Sequence, residues 1–234
     1  MAGIDDLPDY ISWMFISITL ATLYILYYII KSVDKQTGFI AFLLSVVWLT
    51  VIGKLAQDNY FMDFNSVIPR FMFAFPPMLI AIIGFFLVKN SRTYIAKMPI
   101  ELLTYLSIIR IPVELVLWWL MLHGKIPELM TFEGRNLDVI AGITAPVVAY
   151  FCFTRKVWNI KVALVWNYLG IVLLLNIIIN ALLSAPLPFQ QFAFDQPNIG
   201  LLHFPFIWLP AFVAPVVLFS HLANIMIINK QLNE

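Results

Sequence analysis

The stretch LSIIRIPVELVLWWL, residues 106–120, decides how this chain is built. Arg110 and Glu114 stand inside a run that is otherwise almost wholly apolar. The run extends from Ile100 to Leu122, and about 20 such residues suffice for a helix to cross a bilayer's hydrocarbon core. A charge at mid-depth costs about 2.5–3.5 kcal/mol on insertion scales. Neither side chain is therefore expected to face lipid. Four residues apart on a helix, the two share a face, and that face must look into a bundle or into water. Pro112 between them frees the carbonyl of Ile108, an acceptor within Arg110's reach. The rest of the chain must supply the surrounding helices.

Six further apolar segments do so. With 100–122 they make seven predicted spans, the others being 10–30, 39–55, 67–88, 137–153, 162–183 and 204–228. The second and fifth are short, and their ends are the least defined. The composition agrees: 62% of the 234 residues are hydrophobic and 12% charged, against about 25% charged in a soluble domain. The expected fold is an all-α integral membrane protein, a single polytopic domain over residues 1–234 with the lipid bilayer as its main partner. The acidic start, Met1 to Asp9, lacks the basic region of a cleavable leader, so the first apolar segment reads as a retained helix.

Orientation follows from the basic residues of short loops. Lys31, Lys35, Lys89, Arg92, Lys97, Arg155, Lys156, Lys161 and Lys230 fall on one predicted side, and only Lys54, Arg70, Lys125 and Arg135 on the other. The acidic residues Asp5, Asp6, Asp9, Asp58, Asp63, Glu128, Glu133, Asp138 and Asp195 gather on that second side. The expectation is an external N-terminus and a cytoplasmic C-terminus, in a bacterial-type inner or plasma membrane.

Prolines fall inside four predicted spans: Pro76 and Pro77, Pro112, Pro146, and Pro210 with Pro215. Each removes a backbone donor. They shape packing or, read functionally, open a central cavity. Polar residues in other spans point the same way. Asn176 and Asn180 share a face of the sixth span, with Asn167 nearer its start. Ser220, His221 and Asn224 share a face of the seventh. Such groups most often bond neighbouring helices. With Arg110 and Glu114 they also define a polar track from Asn180 at one end to His221 at the other, where histidine suits a proton shuttle. The substrate-binding candidates are therefore Arg110, Glu114, Asn176, Asn180 and His221. The alternative for the central pair is an ion pair that locks the helices together.

The loop GKIPELMTFEGRNLD, residues 124–138, offers Asn136 or Asp138 as a cap for the fifth span. His123, Glu133, Asp138 and His203 are weak candidates for a metal, since no paired-histidine spacing accompanies them. The last long connection, SAPLPFQQFAFDQPNIGLLH at 184–203, is rich in Pro, Gln and Phe, unlike a flexible linker. It reads as a lid over the bundle mouth or an interfacial element.

The single cysteine, Cys152, forms no intrachain disulfide and no zinc cluster, and no cofactor motif is present. A net charge of +1 argues against nucleic acid as a partner. The 204–228 segment has no lysine for a retinal Schiff base. The leading expectation is a protein that binds or transports a small polar or anionic molecule or ion at a site centred on Arg110 and Glu114. A receptor or interaction subunit working through its external rim comes second. An integral-membrane enzyme acting on a lipid or isoprenoid comes third, because clustered Asp, His or Cys at one level is lacking.

Overall fold

In the computed structural model, residues 4, 6–64 and 69–234 are described. Asp5, and Val67 and Ile68 at the start of the third predicted span, lie outside the described residues. The protein is all-helical, with 75% of it in helix and no strand among the described residues. Four helices are long and apolar enough to cross a membrane. They are Asp9–Val33, Lys35–Gln57, Ile160–Leu183 and Leu209–Asn233.

Helix α1 (Asp9–Val33) and α2 (Lys35–Gln57) form a hairpin joined by one residue, Asp34. Both helices are longer than the sequence boundaries 10–30 and 39–55, because Asp34 serves both. Its backbone N–H closes α1 onto the Ile30 carbonyl, and its carboxylate accepts from the Thr37 N–H at 2.6 Å to open α2. So tight a turn brings α2 against the end of α1 at Gly38. A Cβ there would lie 2.7 Å from the Lys31 Cα. Farther along, two indoles tie this hairpin to the last helix. Trp48 Nε1 donates to the Ala211 carbonyl and Trp208 Nε1 to the Leu49 carbonyl, each at 2.9 Å.

Helix α3 (Phe75–Leu87) is short and apolar. The sequence places Pro76 and Pro77 inside a span. In the structure they occupy its first turn, where a missing N–H breaks no helical bond. They start the helix rather than kink it. Helix α4 (Lys89–Ile95) follows, and the Tyr94 hydroxyl donates to the Ile30 carbonyl at 3.0 Å.

The run 100–122 is helical throughout but not uniform. Helix α5 (Ile100–Tyr105) passes through a 3-10 turn, Leu106–Ile109, into α6 (Arg110–Leu122). The irregular turn stands where Pro112 denies an N–H to the preceding turn. Helix α6 ends at Gly124, whose φ of +69° only glycine adopts freely. Gly124 N–H donates to the Met121 carbonyl and Lys125 N–H to the Leu120 carbonyl, each at 2.9 Å, the Schellman pattern of a firm stop.

Helix α7 (Val139–Ala149) continues through a π-helical turn, Tyr150–Thr154, past the internal Pro146. Gly142 faces Ile111, whose Cγ1 a Cβ would meet at 2.9 Å, so α7 and α6 approach closely. Helix α8 (Ile160–Leu183) is uninterrupted. A second π-turn, Leu209–Val213, carries Pro210 and leads into α9 (Ala214–Asn233). Helix α9 is the central element, buried along most of its length and packed against α5 and α8.

The 184–203 connection packs over one end of the bundle. Ala185, Leu187, Asn198, Leu201 and Leu202 are all buried. Gln196 Nε2 donates to the Ile126 carbonyl at 2.5 Å, and the Gly200 N–H to the Lys125 carbonyl at 2.8 Å. This end is therefore capped by ordered chain. The opposite end carries Asp34 and the α4–α5 and α7–α8 links, where Thr154 bonds Glu101.

Candidate functional site

Arg110 and Glu114 are both buried, each 3% exposed, as the cost of charge in lipid demands. They do not pair with each other. Their partners come from the segment just before α7. Arg110 Nη1 lies 3.2 Å from Asp138 Oδ1. The Glu114 carboxylate accepts from Asn136 Nδ2 at 2.5 Å. An Arg placed before Glu in a helix is the poorer order for a direct bridge, and the Asn136–Asp138 segment supplies better-placed groups from outside the helix.

That choice overturns the capping expectation. Asp138 stands at the N-terminus of α7 but makes no side-chain cap. Its carboxylate goes to Arg110 instead. Asn136 Oδ1 accepts the Asp138 N–H at 3.0 Å, and its amide also donates to the Met130 carbonyl at 3.1 Å. The short loop thus presents Asn136 to Glu114 and Asp138 to Arg110 from one rigid turn.

The other side of the guanidinium faces α8 and α9. Arg110 Nη2 is 3.2 Å from the Gly170 carbonyl oxygen and 3.0 Å from His221 Nε2. The carbonyl that accepts from Arg110 is that of Gly170, not that of Ile108 as expected from sequence. An arginine only donates, so Nε2 must accept and the ring proton sits on Nδ1. His221 Nδ1 then donates to Asn167 Oδ1 at 2.8 Å. The same oxygen receives Asn224 Nδ2 at 3.3 Å, and Asn224 Nδ2 also reaches Thr104 Oγ1 at 3.1 Å. Asn167 Nδ2 closes back on the Ala163 carbonyl at 2.8 Å. This network joins α5, α6, α8 and α9. Gly170 makes it possible, since a Cβ there would come within 2.4 Å of the His221 ring.

A cavity of about 110 Å³ opens on the other flank of Arg110. On the same scale a cavity of about 10–15 Å³ holds one water. Arg110, Glu114, Asn136, Asp138 and Asn198 form its polar lining. The remaining walls are apolar, from Leu174, Ile178 and Leu182 of α8, Val213 and Val217 near the start of α9, and Leu202 of the capping segment. A second space of about 450 Å³, between α2, α3 and α9, has no charged residue in its lining. Of these two spaces, the first is the one with charged residues in its lining.

The polar track expected from Asn180 to His221 is therefore only partly assembled. His221 joins Arg110, but on the side away from the cavity. Asn176 and Asn180 stand apart from it: Asn176 Nδ2 donates to the Arg135 carbonyl at 2.8 Å, and Asn180 Nδ2 to the Asn176 carbonyl at 3.0 Å. Asn176 pins α8 to the loop before α7, and Asn180 bonds within α8. The weak metal candidates do not converge. Asp138 is committed to Arg110, and His123 Nδ1 lies 2.8 Å from the Trp119 carbonyl. No group of three His, Cys, Asp or Glu suited to a metal occurs among the described residues. Sequence reading missed Asn136, Asn198, Gly170 and Thr104. Asn136 and Asp138 carried a signal, two polar residues at the mouth of an apolar helix, but it pointed to capping.

No known protein family matches the chain, and comparison with curated proteins and with solved structures finds no match for it either.

Proposed function

We propose that this chain is a seven-crossing membrane protein that binds or carries a small polar-headed molecule in the cavity beside Arg110 and Glu114. The observation that carries the reading is that the cavity reaches both charged residues while neither is spent on the other. A clasp serving only structure would need no open volume beside the pair. The apolar walls behind a polar lining suit an amphiphile, with its head toward α6 and its chain along α8 and α9.

Three segments join the four long helices as crossings in this reading. The continuous path Ile100–Leu122 spans about 34 Å at 1.5 Å per residue. Val139–Thr154 and Phe75–Leu87 are shorter, about 24 and 20 Å, and their ends extend through ordered turns. The basic residues Lys31, Lys35, Lys97, Arg155 and Lys161 gather at the end opposite the cap. That end would be cytoplasmic, and the cavity would lie in the outer half of the membrane.

The test is equilibrium binding of single-chain dodecyl amphiphiles to the full chain in nanodiscs. Saturable binding to the wild type, lost when the cavity is filled by Ala181→Trp, is the expected result. Binding that never saturates, and is the same in both proteins, would refute the site.

A further inference from the structure

We infer that the cavity's ligand carries a hydrogen-bond-donating head, a hydroxyl or an amine on an apolar chain, and not an anion. This rests on the binding reading above and narrows it. The cavity's formal charges are one cation, Arg110, and two carboxyls, Glu114 and Asp138. The cation is already engaged. Its Nη1 faces Asp138, and its Nη2 faces the Gly170 carbonyl and His221. An anionic head would have to displace Asp138 and leave that carboxylate buried without its partner, a strongly unfavourable exchange.

The unsatisfied groups are of the opposite kind. Glu114 Oε2 holds Asn136 and the Phe132 backbone N–H also acts on the carboxyl, but Oε1 completes no hydrogen bond among the described residues. Asn198 Oδ1 is likewise buried without a partner, its amide nitrogen donating to the Ala181 carbonyl at 3.1 Å. Both residues line the cavity. On the donor side the Arg110 Nε–H has no hydrogen bond among the described residues, and Nη1 and Asp138 Oδ1, facing each other at 3.2 Å as an ion pair, complete none either. Buried acceptors without donors are costly, and a hydroxyl or amine supplies donors to them. A hydroxyl can also accept from Nε. A carboxylate or phosphate supplies only acceptors, to a lining already rich in them.

Four probes with one dodecyl chain separate the possibilities: dodecylamine, dodecanol, dodecanoate and dodecyl phosphate, titrated into the full chain in nanodiscs of zwitterionic lipid. The amine and the alcohol are expected to bind at least about tenfold more tightly than either anion, the equivalent of roughly 1.4 kcal/mol. Glu114→Gln keeps the Asn136 contact through its amide oxygen. It should weaken the amine about tenfold and the alcohol much less. Asn198→Leu provides an independent variant away from Arg110 and should weaken both. An anion binding as tightly as the amine would overturn the donor-head inference and leave the cavity reading standing. Unchanged affinity in both variants would overturn it too. Absence of saturable binding for all four heads would defeat the cavity reading itself.

Discussion

The two flanks of Arg110 are built from the same kinds of residue and end in opposite states. Toward α8 and α9, His221, Asn167, Asn224 and Thr104 pass hydrogen bonds from helix to helix, and none of them lines the cavity. Asn224 Oδ1 is the exception to its saturation. Toward the α6–α7 loop, Glu114, Asp138 and Asn198 border open volume and keep acceptor atoms unmatched. The difference teaches how to tell a closed polar cluster from an open one inside a helical bundle. Residue type does not do it, and neither does burial. What separates them is whether the polar atoms have found partners within the chain and whether space adjoins those that have not.

The largest effect should come from removing the residue that belongs to both flanks. Arg110→Ala strands Asp138 and takes the donor from His221. Breaking a buried pair in this way costs about 3–5 kcal/mol. A large loss of folded, monodisperse protein in detergent is expected, and a variant as stable as wild type would erase the distinction between the flanks. Next comes Gly170→Ala, which drives a methyl into the His221 ring. Overpacking of this kind costs about 1–3 kcal/mol. The control is Gly84→Ala, where a Cβ meets nothing within 4 Å. Thermal unfolding should separate the two alanines clearly. Glu114→Gln, on the cavity flank, should change stability by less than about 1 kcal/mol, because the Asn136 contact survives. A loss as large as that of Gly170→Ala would make Glu114 part of the structural network.

Much of the fold is legible in the sequence, and the reasons are physical. Apolar runs of spanning length located all four long helices, because the cost of exposed backbone in lipid leaves few alternatives. The inward face of α6 followed from two charges alone. The partners of those charges were another matter. A carbonyl acceptor such as that of Gly170 leaves no mark on a sequence, since every residue has one. Asn136 and Asp138 sit where helix caps belong, and their diversion to Glu114 and Arg110 depends on how α6 and α7 meet at Gly142. Asn198 lies in a connection whose path over the bundle was legible only as a choice between lid and interface. Helix starts shifted for a related reason: paired prolines read as a kink until the structure puts them in a first turn.

The smallest effect lies far from both flanks, at the α1–α2 turn. Hydrogen bonds from Thr37, side chain and then backbone, hold the Asp34 carboxyl below its ordinary range. A lowered value means that the cap's contribution is present at neutral pH and fades as pH falls through the folded-state value. The protection of the Thr37 amide, its exchange rate taken relative to the intrinsic rate at each pH, should fall on acidification and lose that dependence in Asp34→Asn. The flank contrast around Arg110 should be unaffected, which makes this turn an internal reference.

The most direct measurement of that contrast uses two alanines of α8, with Cys152 replaced by serine. Ala181 lines the cavity, and Ala163 is fully buried toward the other end of α8, beside Asn167. Each is changed to cysteine in the full chain in vesicles and exposed to a small membrane-permeant maleimide, with and without dodecanol. Cys at 181 should react and be protected by the alcohol, while Cys at 163 stays unreactive under both conditions. Equal labelling of the two, or labelling at 181 that dodecanol leaves untouched, would contradict the assignment of one flank to binding and the other to structure.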